Sequence, residues 1–306
     1  MTYRLESLAD LLREPDPGPT PMLVESFLAA NAIATIIGPY KSWKTWLALE
    51  IATAVATGRP AFGELAVQSG PVVLVLEESS RAALHRRMDM LRRGWAQEVD
   101  DFEHVHFAAN QRVRLDNAAC CKWLLGEVEQ IRPVLTVAEP LARLKGLDVD
   151  ENDQRQIGRV LDYFAELRDA SGGAVLFAHH VGHNGGHARG SSDIEAGWES
   201  KLNIDRRDGK RYIRAEHREA EPADEVGLRL DFDEQTRSVR LLLDRPNIDK
   251  GEASNNNGAS SLSPEIREQI KRLVVADVSA NNIVKTVDAR REDVLDLVRE
   301  LRKGDS

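Results

Sequence analysis

The chain has 306 residues, 42% of them apolar and 30% charged, with 41 basic against 50 acidic side chains and a formal net charge of −9. That length suits one large domain with a small appendage. The lack of a bilayer-length apolar run, and the acids in the opening MTYRLESLADLLREPD, argue against a membrane partner and for a cytoplasmic protein. The acidic balance excludes a broad basic face for nucleic acid, so any DNA contact must be local.

Residues 1–31 place Leu5, Leu8, Leu11 and Leu12 on one helical stripe and then break at EPDPGPTP, which reads as an arm ahead of the core. Residues 32–37 (AIATII) form a strand-type run, and residues 45–57 (TWLALEIATAVAT) have helical apolar spacing. Between them lie Gly38, Pro39, Tyr40, Lys41, Ser42, Trp43, Lys44 and Thr45. This is the phosphate-loop pattern G-x-x-x-x-G-K-[ST] with tryptophan in place of its second glycine. In such a loop, backbone N–H groups and a helix N-terminus surround the phosphates of a nucleotide, the lysine meets the same oxygens and the hydroxyl reaches Mg²⁺. A tryptophan is an awkward substitute, because glycine there permits positive φ and close phosphate approach. The plain alternative is a chance Lys-Thr on an ordinary strand-turn-helix.

The next strand, PVVLVLEESS, ends in Glu77 and Glu78, whose side chains point to opposite faces. Glu78 is the better base or water-positioning residue for a γ-phosphate, with Glu77 as a helix-start acid or a supporting partner. HVHFAA is a further strand. Cys120 and Cys121, being adjacent, suit neither a structural disulfide nor a spaced zinc site and read as thiols in a helix. VLTVAEPLARL ends its strand in Glu139, where a Walker B acid holds Mg²⁺ through water, unless it is a solvated strand-end acid. GAVLFAHH closes on His179 and His180, with His183 and His187 following in a glycine-rich loop. These fit a γ-phosphate sensor, a metal ligand or a polar loop. Arg189 in ARGSS and Arg218 in Glu216-His217-Arg218 are each either a finger for a neighbouring subunit's γ-phosphate or a surface arginine.

From 32 to 245 the alternation of strand and helix predicts a parallel sheet covered by helices. Residues 201–218 and 226–243 read as hairpins, turning at Asp208-Gly209 and near Glu234, that extend the sheet. Residues 246–263 have linker composition. Residues 264–306 predict a helix-turn-helix or small winged helix with nine basic and nine acidic side chains, which suits DNA binding on the one hand and a protein-docking or merely structural helical tail on the other.

The phosphate loop, EES, AEPLARL, FAHH and ARGSS, in this order and spacing, resemble the RecA-like P-loop ATPases of the RepA-type and DnaB-type hexameric helicase group, particularly its phage and plasmid members with a KSxKTWLAL loop. The likeness covers about residues 20–245. It implies an α/β RecA-like P-loop NTPase core with a parallel sheet and antiparallel extension, and ATP and Mg²⁺ as ligands. By the same likeness Lys44 and Thr45 bind phosphate and Mg²⁺, Glu78 is the catalytic glutamate, Glu139 the Walker B acid, His180 the sensor and Arg189 the finger in trans, and Arg87 lies near the adenine. The implied assembly is a homo-oligomer, a hexamer, acting on single-stranded or flap DNA in phage or plasmid replication and recombination. Trp43, Glu139 in place of aspartate, and Glu216 in place of a lysine depart from the pattern and bear on turnover. Two other functions suit the same scaffold: a metal-dependent DNA exonuclease using Glu78, Glu139 and the histidines, and a non-catalytic nucleotide-gated adaptor recruited through residues 264–306.

Overall fold

The computed structural model describes residues 5–146, 149–150, 153–180 and 197–245, with backbone alone at His180, and beyond them Ile270, Lys271, Leu297, Val298 and Leu301. In chain order the elements are α1 (Leu8–Leu11), β1 (Met22–Val24), β2 (Leu28–Ala29), β3 (Ile33–Gly38), α2 (Lys44–Thr57), β4 (Val72–Leu76), α3 (Arg81–Gly94), β5 (Val105–Ala109), α4 (Ala118–Ile131), β6 (Leu135–Glu139), α5 (Leu141–Leu144), α6 (Gln154–Ser171), β7 (Ala174–His180), β8 (Ser200–Arg207), β9 (Lys210–His217), β10 (Val226–Asp233) and β11 (Ser238–Asp244). The chain divides into two units, Met1–Pro246 and Asn247–Ser306. Apart from helical backbone at five positions, the linker and helix-turn-helix expected over 246–306 lie outside the described residues.

Nine strands form one sheet in the order β11-β10-β9-β8-β3-β7-β6-β4-β5. From β8 to β5 neighbouring strands are parallel, and β8 to β11 form an antiparallel meander. The parallel strands are near-continuous apolar runs because helices cover both faces. Val72, Leu74 and Leu76 of β4 join one core with Leu47, Ile51 and Val55 of α2 and Leu84 and Leu91 of α3. Val73 and Val75 join the opposite core with Leu124 and Val128 of α4 and Ile157, Val160 and Phe164 of α6. The meander turns where expected, with positive φ at Asp208 (53°) and Gly209 (75°), the geometry of a tight hairpin.

The N-terminal arm is shorter than residues 1–31. β1 and β2 pair as a small hairpin that buries Leu23, Val24, Phe27 and Leu28 in the α2-side core. The described residues ahead of it are largely exposed, with Leu8 and Leu12 at 68% and 75%. Helix α2 is apolar on nearly every side because it is enclosed by sheet and neighbouring helices. Its one buried carboxylate, Glu50, is held by Arg59, Trp95 and the Phe62 amide.

Candidate nucleotide site

Parallel pairing brings the C-terminal ends of four strands to one edge of the sheet. Gly38 of β3 pairs with His180 of β7, and Glu139 of β6 pairs with Leu76 of β4 while its carbonyl accepts from the Glu77 amide at 2.9 Å. Ligands of open α/β sheets bind outside these carboxyl ends. The loop from Gly38 to Thr45 leaves β3 here and enters α2. Gly38 is required by close approach, since a Cβ would come within 2.7 Å of Ser42 Oγ and 3.0 Å of the Ile204 carbonyl.

Trp43 does not abolish the loop conformation. It occupies the left-handed region at φ 72°, ψ 22°, directly before α2, and Lys41 is left-handed as well at φ 61°. The following N–H groups of α2 lack intrahelical acceptors, as in any first turn, and with the helix dipole they favour an anion. Lys44 Nζ donates to the carbonyls of Gly38 (2.8 Å) and Pro39 (2.9 Å). Burial pushes its pKa down to about 8, against the upward pull of Glu139 and Glu78.

Thr45 Oγ1 donates to Glu139 Oε1 at 2.5 Å. Glu139 is buried, and desolvation raises its pKa above the usual carboxylate value, opposed by Thr45, Arg87 and Lys44 and reinforced by Glu78. Glu78 directly follows Glu77, whose amide bonds the Glu139 carbonyl, so its backbone lies at the same strand ends. Its side chain is 60% exposed and meets Arg143 Nε of α5 at 3.7 Å, a weak ion pair at that exposure.

Several expected positions differ in the structure. Glu77 is not a helix-start acid: Ser80 caps α3, while the buried Glu77 carboxylate accepts from the amides of Gln111, Arg112 and Val113 and anchors the loop after β5. Arg87, implied by the resemblance to lie near adenine, donates to Ser79 Oγ at 2.8 Å, and its charge opposes the rise in the Glu139 pKa. Arg218 lies at the other edge of the sheet. Its amide bonds Glu199, whose amide bonds Ile33 at the start of β3, five residues or about 16 Å from Gly38 along the strand. Arg218 therefore stands away from the phosphate loop of its own chain, and the expected role, a finger for a neighbouring subunit, concerns a different site. Glu216 pairs across the strands with Lys201 at 2.8 Å, an ion pair that accounts for an acid at that position. His179 is buried at the level of Ile37. The His180 side chain, His183, His187 and Arg189 lie outside the described residues. Among the described residues no group of three or more His, Cys, Asp or Glu side chains could hold a metal ion. Sequence reasoning gave no role to Arg143 of AEPLARL or Ser79 of EES, although both lie within named motifs, and missed Arg211, for which no local signal exists.

The residues present fit a nucleotide with Mg²⁺. Ser42 Oγ and Glu139 Oε2 are buried and have no hydrogen-bond partner among the described residues. Thr45 and Glu139 together supply the hard oxygen donors that Mg²⁺ prefers. Lys44 and the α2 amides would hold the phosphates, and Thr45 and Glu139 the metal.

Comparison with known proteins agrees with this geometry. The AAA domain family model AAA_25 matches residues 2–186. No curated protein sequence matches the chain significantly. Among solved structures, a KaiC-like protein from the hyperthermophilic archaeon Pyrococcus horikoshii OT3 is similar in fold at 15% identity and a TM-score of 0.52, over 76% of this chain and 98% of that one. Strand order, phosphate loop and family match converge: the chain belongs to the AAA domain family and carries a RecA-like P-loop ATPase core.

Proposed function

We propose that the protein hydrolyses ATP with Mg²⁺ and works as a homo-oligomeric ring, a hexamer, that moves on or remodels single-stranded DNA in phage or plasmid replication or recombination. The observation that carries the hydrolytic part is the meeting of Lys44, the Thr45–Glu139 pair and the charge of Glu78 at one sheet edge. Lys44 binds and neutralises phosphate oxygens. Thr45 and Glu139 hold Mg²⁺, which when bound withdraws charge from those oxygens. Glu78, exposed and only weakly paired, orients the attacking water and takes its proton. The ring and the DNA partner rest on the family resemblance, and the exposed Leu5, Leu8 and Leu12 supply an apolar arm for a neighbouring subunit.

ATP turnover with Mg²⁺, with and without single-stranded DNA, compared between wild type and Lys44→Ala, tests the proposal alongside light scattering for mass. DNA-stimulated turnover that disappears in the variant is the expected result. Equal turnover in both proteins would remove the site, and a monomer at all concentrations, with or without nucleotide, would remove the ring. ATP binding without turnover would favour the adaptor. Metal-dependent DNA degradation without ATP, lost in Glu139→Ala, would favour the exonuclease.

A further inference from the structure

Arg211 of β9 reaches across to the phosphate loop. Its guanidinium carbon lies 3.6 Å from the centroid of the Trp43 ring. Nη2 donates to the Lys41 carbonyl at 3.3 Å, and Nη1 to the Gly209 carbonyl of its own hairpin at 3.5 Å. Trp43 and Lys41 are also the loop residues that hold positive φ without being glycine, at 72° and 61°. L side chains rarely adopt that region, and such residues persist only when their surroundings over-determine them. One side chain, from an element remote in sequence, contacts both.

Arg211 holds this place against two penalties. Arg206 faces it directly across the β8–β9 pair, and like charges so placed repel. Its Nε is buried with no hydrogen-bond partner among the described residues, where a polar group normally finds one. Burial and Arg206 both push its pKa below the usual arginine value. The first penalty follows from strand register whatever the side chain does, but a side chain that merely solvated the hairpin would not bear the second. Arginine also suits the position chemically, because its planar fork can stack on an indole and donate in-plane hydrogen bonds at the same time.

We propose that Arg211 is a positioning residue for nucleotide binding: by stacking on Trp43 and bonding the Lys41 carbonyl, it holds the loop in the left-handed geometry that turns the α2 amides and Lys44 towards phosphate. The inference rests on the nucleotide assignment of the site. Trp43 is then half of a two-part brace. Glycine would supply the same backbone angles through freedom, whereas Trp43 and Arg211 supply them through a fixed contact between the loop and the β8–β9 hairpin.

The test is a double-mutant cycle on the full chain, read by titration with a fluorescent ATP analogue, by hydrogen exchange at residues 38–45 without nucleotide, and by melting temperature. Arg211→Ala is expected to weaken analogue affinity about tenfold, or about 1.4 kcal/mol, and to speed exchange in the loop. Arg211→Lys, which keeps the charge but not the planar stack, restores only part of the affinity. In a Trp43→Gly background, where glycine takes the same φ freely and only the Lys41 bond remains to be lost, Arg211→Ala should cost clearly less affinity than in the wild type, about threefold or less. If Trp43→Gly fails to fold, Trp43→Asn replaces it, since asparagine tolerates left-handed φ and has no ring. Wild-type affinity and loop exchange in Arg211→Ala would overturn the proposal, as would an equal loss in both backgrounds or a lowered melting temperature with unchanged affinity. Failure of the wild type itself to bind the analogue would instead overturn the nucleotide assignment on which the proposal rests; the loop-exchange comparison would still test the brace.

Discussion

The Thr45 hydroxyl and the Glu139 carboxylate meet at 2.5 Å, joining the first turn of α2 to the end of β6. Two oxygen donors are thereby oriented towards each other before any cation arrives, and the second Glu139 oxygen is buried without a hydrogen-bond partner among the described residues. Thr45→Ala should raise the Mg²⁺ concentration needed for half-maximal ATP turnover by about 10- to 100-fold, with little effect on metal-free ATP binding. A Mg²⁺ titration of turnover checks this, and an unchanged midpoint would contradict the metal role of Thr45.

Glu77 and Glu78 are neighbours with separate tasks. The Glu77 side chain is 1% exposed and accepts three backbone amides, whereas Glu78 is 60% exposed. Glu77→Gln, which loses a charged acceptor, should destabilise the fold by about 2–3 kcal/mol. Glu78→Gln should leave the melting temperature unchanged and lower kcat by about 10²–10⁴. Thermal unfolding and steady-state turnover on both variants separate the two, and a loss of kcat without a loss of stability in Glu77→Gln would reverse the assignment.

What was legible in the chain was local. Lys44 and Thr45 announce themselves because strand, loop and helix follow one another within a few residues, and the parallel sheet follows from apolar runs that both faces must cover. Glu77 and Glu78 read in sequence as the end of a strand, but β4 stops at Leu76 and both lie in the bend after it, so strand alternation does not set their directions; the partner of Glu77 depends on β5 pairing with β4, a non-local event. The hairpin reverses the chain after β8 and carries Arg218 to the far edge of the sheet from the phosphate loop, a placement that depends on the β8–β9 pairing. Arg211 lies 170 residues from Lys41 in sequence, so nothing near either residue signals their contact. β1 and β2 escaped notice because strands of three and two residues are too short to show a period.

Lys44 gives the site a pH dependence. Burial brings its pKa from 10.5 down to about 8, so between these values the unfolded chain keeps a proton that the folded chain has lost. The contribution of Lys44 to stability therefore rises with pH through that window, its burial penalty being largest below about pH 8. Phosphate affinity moves the other way, because it needs the ammonium. ATP affinity, measured with chelator present so that metal binding does not enter, should fall by up to about tenfold per pH unit above about pH 8, with proton uptake on binding. Lys44→Arg, charged throughout, should flatten the profile of whatever binding it retains; a wild-type profile that is flat from about pH 7 to about pH 9.5 would exclude this titration.

The stability of the site's supporting helix depends on Glu50. Both its oxygens are engaged by Arg59 at 2.7 and 2.8 Å, and the Phe62 amide and Trp95 Nε1 each donate at 2.9 Å, while Arg59 also stacks 4.3 Å over Trp95. The carboxylate is fully buried, so removing it strands a charged Arg59 and two donors at once. Glu50→Ala should cost about 3–5 kcal/mol in chemical denaturation, whereas Glu50→Leu with Arg59→Met should recover the part due to the stranded Arg59 charge but not the part due to the Phe62 and Trp95 donors, which stay unpaired. The charges themselves contribute little net stability, because their attraction is offset by the desolvation of both partners; what the single variant loses is the pairing of the groups left behind. Equal destabilisation in the single and double variants would place the energy in the ion pair instead.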